Sequence, residues 1–307
     1  LTVSANPGTS TSPVIITNTL EEGYLQVLKT DKADNNKKLS GAEFGVYSSS
    51  ACTAGTEVTT LVTGTDGTAT SGKLPAGTYW IKETKAPDGY IIDDVDGREI
   101  SITADHTITT PLQKTYTDTE KSTCIQLYAQ KNLVGLNDTT NGFTFELTTT
   151  DTRAKIPDGT GNKVTVKAGD TGAFGGITFT YADLGGEEST TFTYVVKEII
   201  PSEKLPGVKY DTTEHTVTVT LEYKNDELTV STIPGTLTSP VIITNIYASG
   251  AIDLTKVDAV TGAKLSGAVF TVYKEQACTT KVADMPATDS NGYSKLADLP
   301  VGIYYVK

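Results

Sequence analysis

The seven residues Ser-Pro-Val-Ile-Ile-Thr-Asn occur twice in the chain, ending at Asn18 and at Asn245, an offset of 227 residues (245 − 18). A period of that size constrains architecture before any local propensity does, because each repeat has to be a folded unit or a set of them. The register persists outside the motif: Lys29 in LQVLKTD falls on Lys256 in IDLTKVD at the same offset (256 − 29 = 227). KLSGAEFGVYSSSAC likewise answers to KLSGAVFTVYKEQAC, one residue closer together. The chain reads as one full repeat followed by part of another, a window on a longer tandem array.

The length of 307 residues allows two or three domains with real cores. Short alternating runs of Thr, Val, Ile and Tyr, broken by Gly, Pro, Asp and Asn, predict an all-β protein. A formal charge of −12 has the wrong sign for a phosphate-binding surface, so no nucleic acid partner is expected. No apolar run is long enough to span a bilayer, and no signal peptide is visible in this stretch, so membrane insertion within it is not expected. Cys52 and Cys278 are repeat mates at 226 residues (278 − 52), and the mate of Cys124 would fall beyond Lys307. A full repeat therefore carries two cysteines, Cys52 and Cys124, compatible with a disulfide in an oxidising compartment or with two free thiols.

His106 and His215 stand in strand-like contexts with no second ligand at metal spacing, so neither a metal nor a cofactor is expected. DDVDG, Asp93 to Gly97, has acidic letters but puts Ile92 and Thr103 where a calcium loop needs its first and last ligands; it reads as a turn. KLPAGT, Lys73 to Thr78, has the letters of a sortase signal in the wrong order and reads as a turn into the strand YWIKE. A hydrolytic enzyme is not expected, because no general-base His or separated carboxylate pair emerges.

The informative feature is polar residues on apolar strand faces. Side chains two apart in a strand share a face. Lys131 lies on the face of Ile125, Leu127 and Ala129, Lys29 on that of Leu25 and Val27, and Lys256 on that of Ile252 and Leu254. Asn245 shares its face with Val241 and Ile243, as Asn18 does with Val14 and Ile16; Glu198 lies with Tyr194 and Val196, and Glu83 with Tyr79 and Ile81. An isolated charge is costly to bury, so such groups shift toward neutrality or need partners. A neutral lysine is a nucleophile, a neutral glutamic acid is a hydrogen-bond donor to a carboxamide oxygen, and the carboxamide carbon is then an electrophile. Held together by a fold, they gain an effective molarity of about 10⁵ M or more. The expected product is a Lys–Asn isopeptide bond with loss of ammonia and a Glu as proton shuttle, a single self-modification without turnover. The competing reading is structural: Lys131 snorkels from a strand end, Asn245 terminates a strand, and Glu198 pairs with a surface lysine.

These residues lie in segments that resemble the self-crosslinking domains of Gram-positive surface proteins and pili. Residues 19 to about 118, with LQVLKTD, KLSGAEFGVY and TDGTATSGKLPAGTYWIKETKAPDGY, resemble the collagen-adhesin B-type domain, whose assisting Glu sits in a KETKAPxGY segment and so corresponds to Glu83. Residues 119 to 247, with AQKNL, GFTFEL, TYVVKE, PGVKYDTTEHTVTVTL and SPVIITN, resemble the streptococcal pilin isopeptide-linkage domain. That resemblance implies Lys131 and Asn245 as the bonded pair and Glu198 as the assisting acid. Residues 1–18 resemble the last strand of a preceding linkage domain, with Asn18 separated from its lysine. Residues 248–307 resemble the start of another B-type domain with donor Lys256, ending one residue before its expected Glu.

The implied fold is a tandem of immunoglobulin-like β-sandwich domains. In the first B-type segment, matching HTITTPLQKTY to the family's closing strand places Lys114 where the acceptor Asn should stand, and Pro111 interrupts the strand. Lys29 is then either unbonded or joined to another acceptor, of which Asp118 is nearest; a Cys52–Cys124 disulfide would be the alternative clamp. The implied function is a stalk segment of a cell-wall-attached adhesin or pilus-like fibre, extracellular on a Gram-positive bacterium. Its partners would be neighbouring repeats of the same chain and, through a head elsewhere, a host protein or glycan. The alternative is that the sandwiches themselves bind such a ligand, for which Trp80, on the face opposite Glu83, is the aromatic candidate.

Overall fold

The computed structural model describes residues 2–5 and 16–307 apart from 139 and 158, with side-chain environments from residue 18 onward. Strands Thr2–Ala5 and Ile16–Thr19 pair antiparallel, with Val3 opposite Asn18; most of the first SPVIITN copy lies outside the described residues. The chain divides into two compact units. One comprises Leu1–Thr123, Thr178–Thr190 and Leu221–Val230; the other comprises Cys124–Ile177, Thr191–Thr220 and Ser231–Lys307.

The first unit contains two four-stranded sheets. One has the order Tyr90–Ile92, Leu112–Glu120, Leu25–Asp31, Thr68–Thr70, and the other Arg98–Ile102, Gly77–Lys85, Glu43–Tyr47, Glu57–Val62. Alternation does what the sequence predicts: Leu25, Val27, Phe44, Val46, Ile81, Ile100, Ile102 and Tyr116 form one apolar core between the sheets. First and last strands are parallel neighbours, in the register Lys29 opposite Tyr116 and Asp31 opposite Asp118. Pro111, which cannot donate to a ladder, sits just before the last strand instead of inside it.

The PDGY turn of this unit is seated on two tyrosines. The Gly89 N–H donates to the Tyr223 hydroxyl at 3.1 Å, and Tyr181 meets Tyr223 edge to face at 4.8 Å. Gly89 is held at φ +79°, and a Cβ there would lie 2.1 Å from the Tyr181 ring, so both conformation and space require glycine.

The second sandwich has a sheet ordered Thr171–Ala173, Tyr128–Val134, Val241–Tyr247, Val208–Lys209, facing a sheet ordered Lys163–Val166, Phe143–Thr148, Ser189–Ile199, His215–Lys224, Glu227–Ile233, the last three strands of which belong in part to the first unit. Leu127, Ala129, Phe145, Leu147, Tyr194, Val196, Val217, Val219 and Ile243 are fully buried. Again the first and last strands run parallel, with Lys131 opposite Ile243 and Leu133 opposite Asn245. In the final segment Ser249–Thr255 pairs with Tyr293–Pro300, and Thr271–Tyr273 lies between Lys281–Asp284 and Tyr305–Val306. Among the described residues no helix is long and apolar enough to cross a membrane.

Candidate functional site

Each sandwich holds one lysine in its core between the terminal strands. Lys131 is fully buried. Its Nζ lies 2.8 Å from Glu198 Oε2 and over the rings of Phe143 and Phe145, 4.7 and 5.8 Å from their centroids. Glu198 reaches this point because it stands opposite Phe145 in the facing sheet. Its other oxygen, Oε1, accepts the Asn245 Nδ2–H at 3.0 Å. Asn245 is also fully buried. It stands two residues beyond the cross-strand partner of Lys131, which puts it on the same face. One carboxyl group thus touches both the amine and the carboxamide nitrogen. Burial pushes the Lys131 amine below the ordinary lysine range, against the pull of Glu198.

The first sandwich repeats this geometry with different chemistry. Lys29, 0 % exposed, has its Nζ 2.5 Å from both Glu83 Oε2 and Asp118 Oδ1. Glu83 stands opposite Phe44, and Lys29 lies 5.8 Å from the centroid of that ring. Asp118 stands two residues beyond Tyr116, the partner of Lys29. Two carboxyls therefore share one buried ammonium. Burial, opposed by Lys29 and reinforced by Asp118, pushes Glu83 up to about 8. The Asp118 carboxyl is close enough to Glu83 to act on it by both charge and hydrogen bonding.

The register expected for the first acceptor is corrected. Lys114 lies opposite Val27, two pairs before Lys29 reaches Tyr116, and is only half-buried. Asp118 is the residue brought to Lys29, because the strand starts after Pro111 and runs to Glu120. The expected Cys52–Cys124 disulfide is also corrected: both are free thiols, as is Cys278. Cys52 sits in a left-handed turn with Sγ against Gly97, whereas the Cys124 Sγ packs against Gly176. His106 accepts the Thr103 N–H at 3.1 Å, and His215 contacts the Asp211 carboxylate at 3.1 Å. Lys256 and Asn18 are exposed, and Trp80 is half-buried.

Sequence reasoning passed over two contacts. The Asp211 N–H donates to Asn245 Oδ1 at 2.8 Å, and the Asp93 N–H donates to Asp118 Oδ1 at 3.2 Å. Asp93 had looked like part of a plain turn. A backbone donor leaves no compositional trace, although in both places an Asp stands one or two residues past a short edge strand.

Parallel terminal strands, with a lysine, a glutamate and a carboxyl or carboxamide buried between them, place the chain in the class of pilin-type stalk segments. Its segments belong to two domain families: residues 23–116 and 250–307 match the prealbumin-like fold domain (SpaA), and residues 127–248 match the Spy0128-like isopeptide containing domain (FctA). No curated protein matches the chain. Among solved structures it is similar to the Bacillus anthracis TIE protein at 21 % identity, covering 99 % of this chain and 51 % of that one, with a TM-score of 0.44. It thus spans about half the length of that protein. It is also similar to BcpA, the major pilin subunit of Bacillus cereus, at 20 % identity, covering 93 % and 87 %, TM-score 0.31. The full-length major pilin SpaD of Corynebacterium diphtheriae matches at 16 % identity, covering 89 % and 80 %, TM-score 0.28.

Proposed function

We propose that each sandwich closes itself with one isopeptide bond and that the tandem serves as a load-bearing shaft on the cell wall of a Gram-positive bacterium. The observation that carries this reading is the double contact of Glu198 with Lys131 and Asn245 in a buried core. The Lys131 amine attacks Asn245 Cγ, Glu198 Oε2 takes a proton from Nζ, and Oε1 delivers one to Nδ2. The Nζ–Cγ bond forms, the Cγ–Nδ2 bond breaks, and ammonia leaves. At the first site Lys29 attacks Asp118 Cγ, Glu83 moves the protons, and a water leaves. Neighbouring repeats are the natural partners. The ligand-binding alternative is not favoured, since Trp80 is half-buried.

The intact mass of the reduced chain tests the proposal. It is expected to fall short of the sequence mass by one ammonia and one water; Glu198→Ala restores the ammonia alone and Glu83→Ala the water alone. Full sequence mass in folded wild-type protein would exclude both bonds.

The pH dependence follows from the proton count of the first site. The resting triad, with charged Lys29, one protonated carboxyl and one carboxylate, carries as many protons as the reactive triad of neutral amine and two carboxylic acids. Water loss is therefore expected to be flat in rate below pH 8. Once the Glu83 proton, held up to about 8, dissociates, the rate falls roughly tenfold per pH unit. Refolding the denatured wild-type chain is not informative once the bond exists, so the measurement starts from chain synthesised in cell-free extract and shifted across pH 6 to 9.5 on folding, a range set to bracket that value by roughly two units. A rate that rises steadily to the upper limit would remove Glu83 as the proton donor.

A further inference from the structure

The two sites belong to different domain families, yet both aim one main-chain N–H at the acceptor oxygen. Asp211 N–H meets Asn245 Oδ1 at 2.8 Å and Asp93 N–H meets Asp118 Oδ1 at 3.2 Å. The registers are similar. Tyr90–Ile92 pairs antiparallel with the last strand so that Ile92 is opposite Asp118, and the donor is the next residue. Val208–Lys209 pairs antiparallel with the other last strand, Lys209 opposite Ile246. The pairing ends there, and the donor is the second residue beyond it.

Each donor is also pinned by its own side chain to the strand that carries the acceptor. The Asp211 carboxylate accepts the N–H of Thr244, the residue before Asn245, at 3.4 Å; it also accepts Thr213 N–H at 2.8 Å and contacts His215 Nε2 at 3.1 Å. The Asp93 carboxylate accepts the hydroxyl of Thr119, the residue after Asp118, at 2.9 Å and pairs with Lys32 at 3.1 Å. An aspartate at this position thus places the amide hydrogen and then holds the strand end from sliding.

We infer that the backbone N–H groups of Asp211 and Asp93 are the oxyanion donors of the two crosslinking reactions. This rests on the reading of both sites as isopeptide-forming. As Nζ adds to Cγ, the carbonyl electron pair moves onto Oδ1. The oxygen then holds a full negative charge in a core where Glu198 or Glu83 is committed to proton transfer. A fixed amide dipole already within hydrogen-bonding distance stabilises that charge without reorganisation. When the C–N or C–O bond of the leaving group breaks, the pair returns and the product amide oxygen keeps the same donor.

The test replaces the amino acid at 211, or at 93, by its α-hydroxy acid in the full chain, exchanging one N–H for an ester oxygen. Ammonia and water loss are followed by mass after synthesis and folding. The ester at 211 is expected to slow ammonia loss by about 10²-fold and to leave water loss unchanged, and the ester at 93 to do the reverse. Unaltered rates in both folded ester chains overturn the inference. A wild-type chain that loses neither group overturns the crosslink reading instead. Should an ester chain fail to fold, the wild-type product decides: a through-hydrogen-bond NMR coupling between the Asp211 nitrogen and Asn245 Cγ supports the donor, and its absence rejects it.

Discussion

Glu198→Ala is expected to cost the linkage sandwich about 8 kcal/mol, combining about 5 from the lost crosslink with about 3 from a buried lysine left alone. The first part comes from a loop of 114 residues (245 − 131) whose closure the unfolded chain would no longer inherit. The second arises because Lys131 sits among Phe143, Phe145 and core aliphatics with Glu198 as its ion-pair partner. Asn245→Ala separates the two effects. It also forbids the bond but keeps the Lys131–Glu198 pair, so it is expected to cost nearer 5. Since a domain's whole stability is about 5 to 15 kcal/mol, the glutamate variant should melt before the other sandwich. Equilibrium denaturation followed by fluorescence and circular dichroism reads the difference. Equal midpoints for wild type and Asn245→Ala would show that no covalent tie exists to lose.

Much of this was legible in the sequence because strand periodicity is rigid. A residue two positions from a buried valine points to the same face, so Lys29, Lys131, Glu83, Glu198 and Asn245, together with Lys256 and Asn18, could each be placed on a core face before any contact was known. The first five are buried, whereas Lys256 and Asn18 are exposed. What periodicity does not fix is register between strands distant in the chain. A shift of four residues separates Lys114 from Asp118, and both lie on the same face of one strand. The choice is made by Pro111, which sets where the strand begins, and by Asp118 being the residue that Lys29 can meet two places past Tyr116. Cysteine parity failed for a different reason: an even count says nothing of direction, and the two thiols pack against different glycines. The amide donors at 93 and 211 were not legible, because every residue but proline offers the same N–H.

The two sites reach one geometry from unrelated local sequence. In each, the lysine is on the first strand, the acceptor two residues past its partner on the last strand, and the glutamate opposite a phenylalanine of the facing sheet. Parallel terminal strands are the common cause. They bring the two ends of a domain side by side, so any bond between them encloses nearly the whole domain. The difference lies in the group offered to the lysine, a carboxamide at Asn245 and a carboxyl at Asp118. At the carboxyl-bearing site, burial and, to a smaller degree, the neighbouring Asp118 push Glu83 up to about 8.

Under load that enclosure has a measurable length. Force enters each sandwich through its first strand and leaves through its last, so a bond between them diverts the load around everything between. The enclosed stretches are 89 residues (118 − 29) and 114 residues (245 − 131). At about 3.5 Å per extended residue, they hide roughly 300 and 400 Å of chain. A wild-type chain pulled from its ends is expected to show neither step. Glu83→Ala should release the shorter length, Glu198→Ala the longer, and the double variant both. Because the steps differ in size, a single-molecule trace identifies which bond is missing. Steps of these lengths in the wild-type chain would mean that the lysines are merely buried, and that the shaft resists force by hydrogen bonds alone.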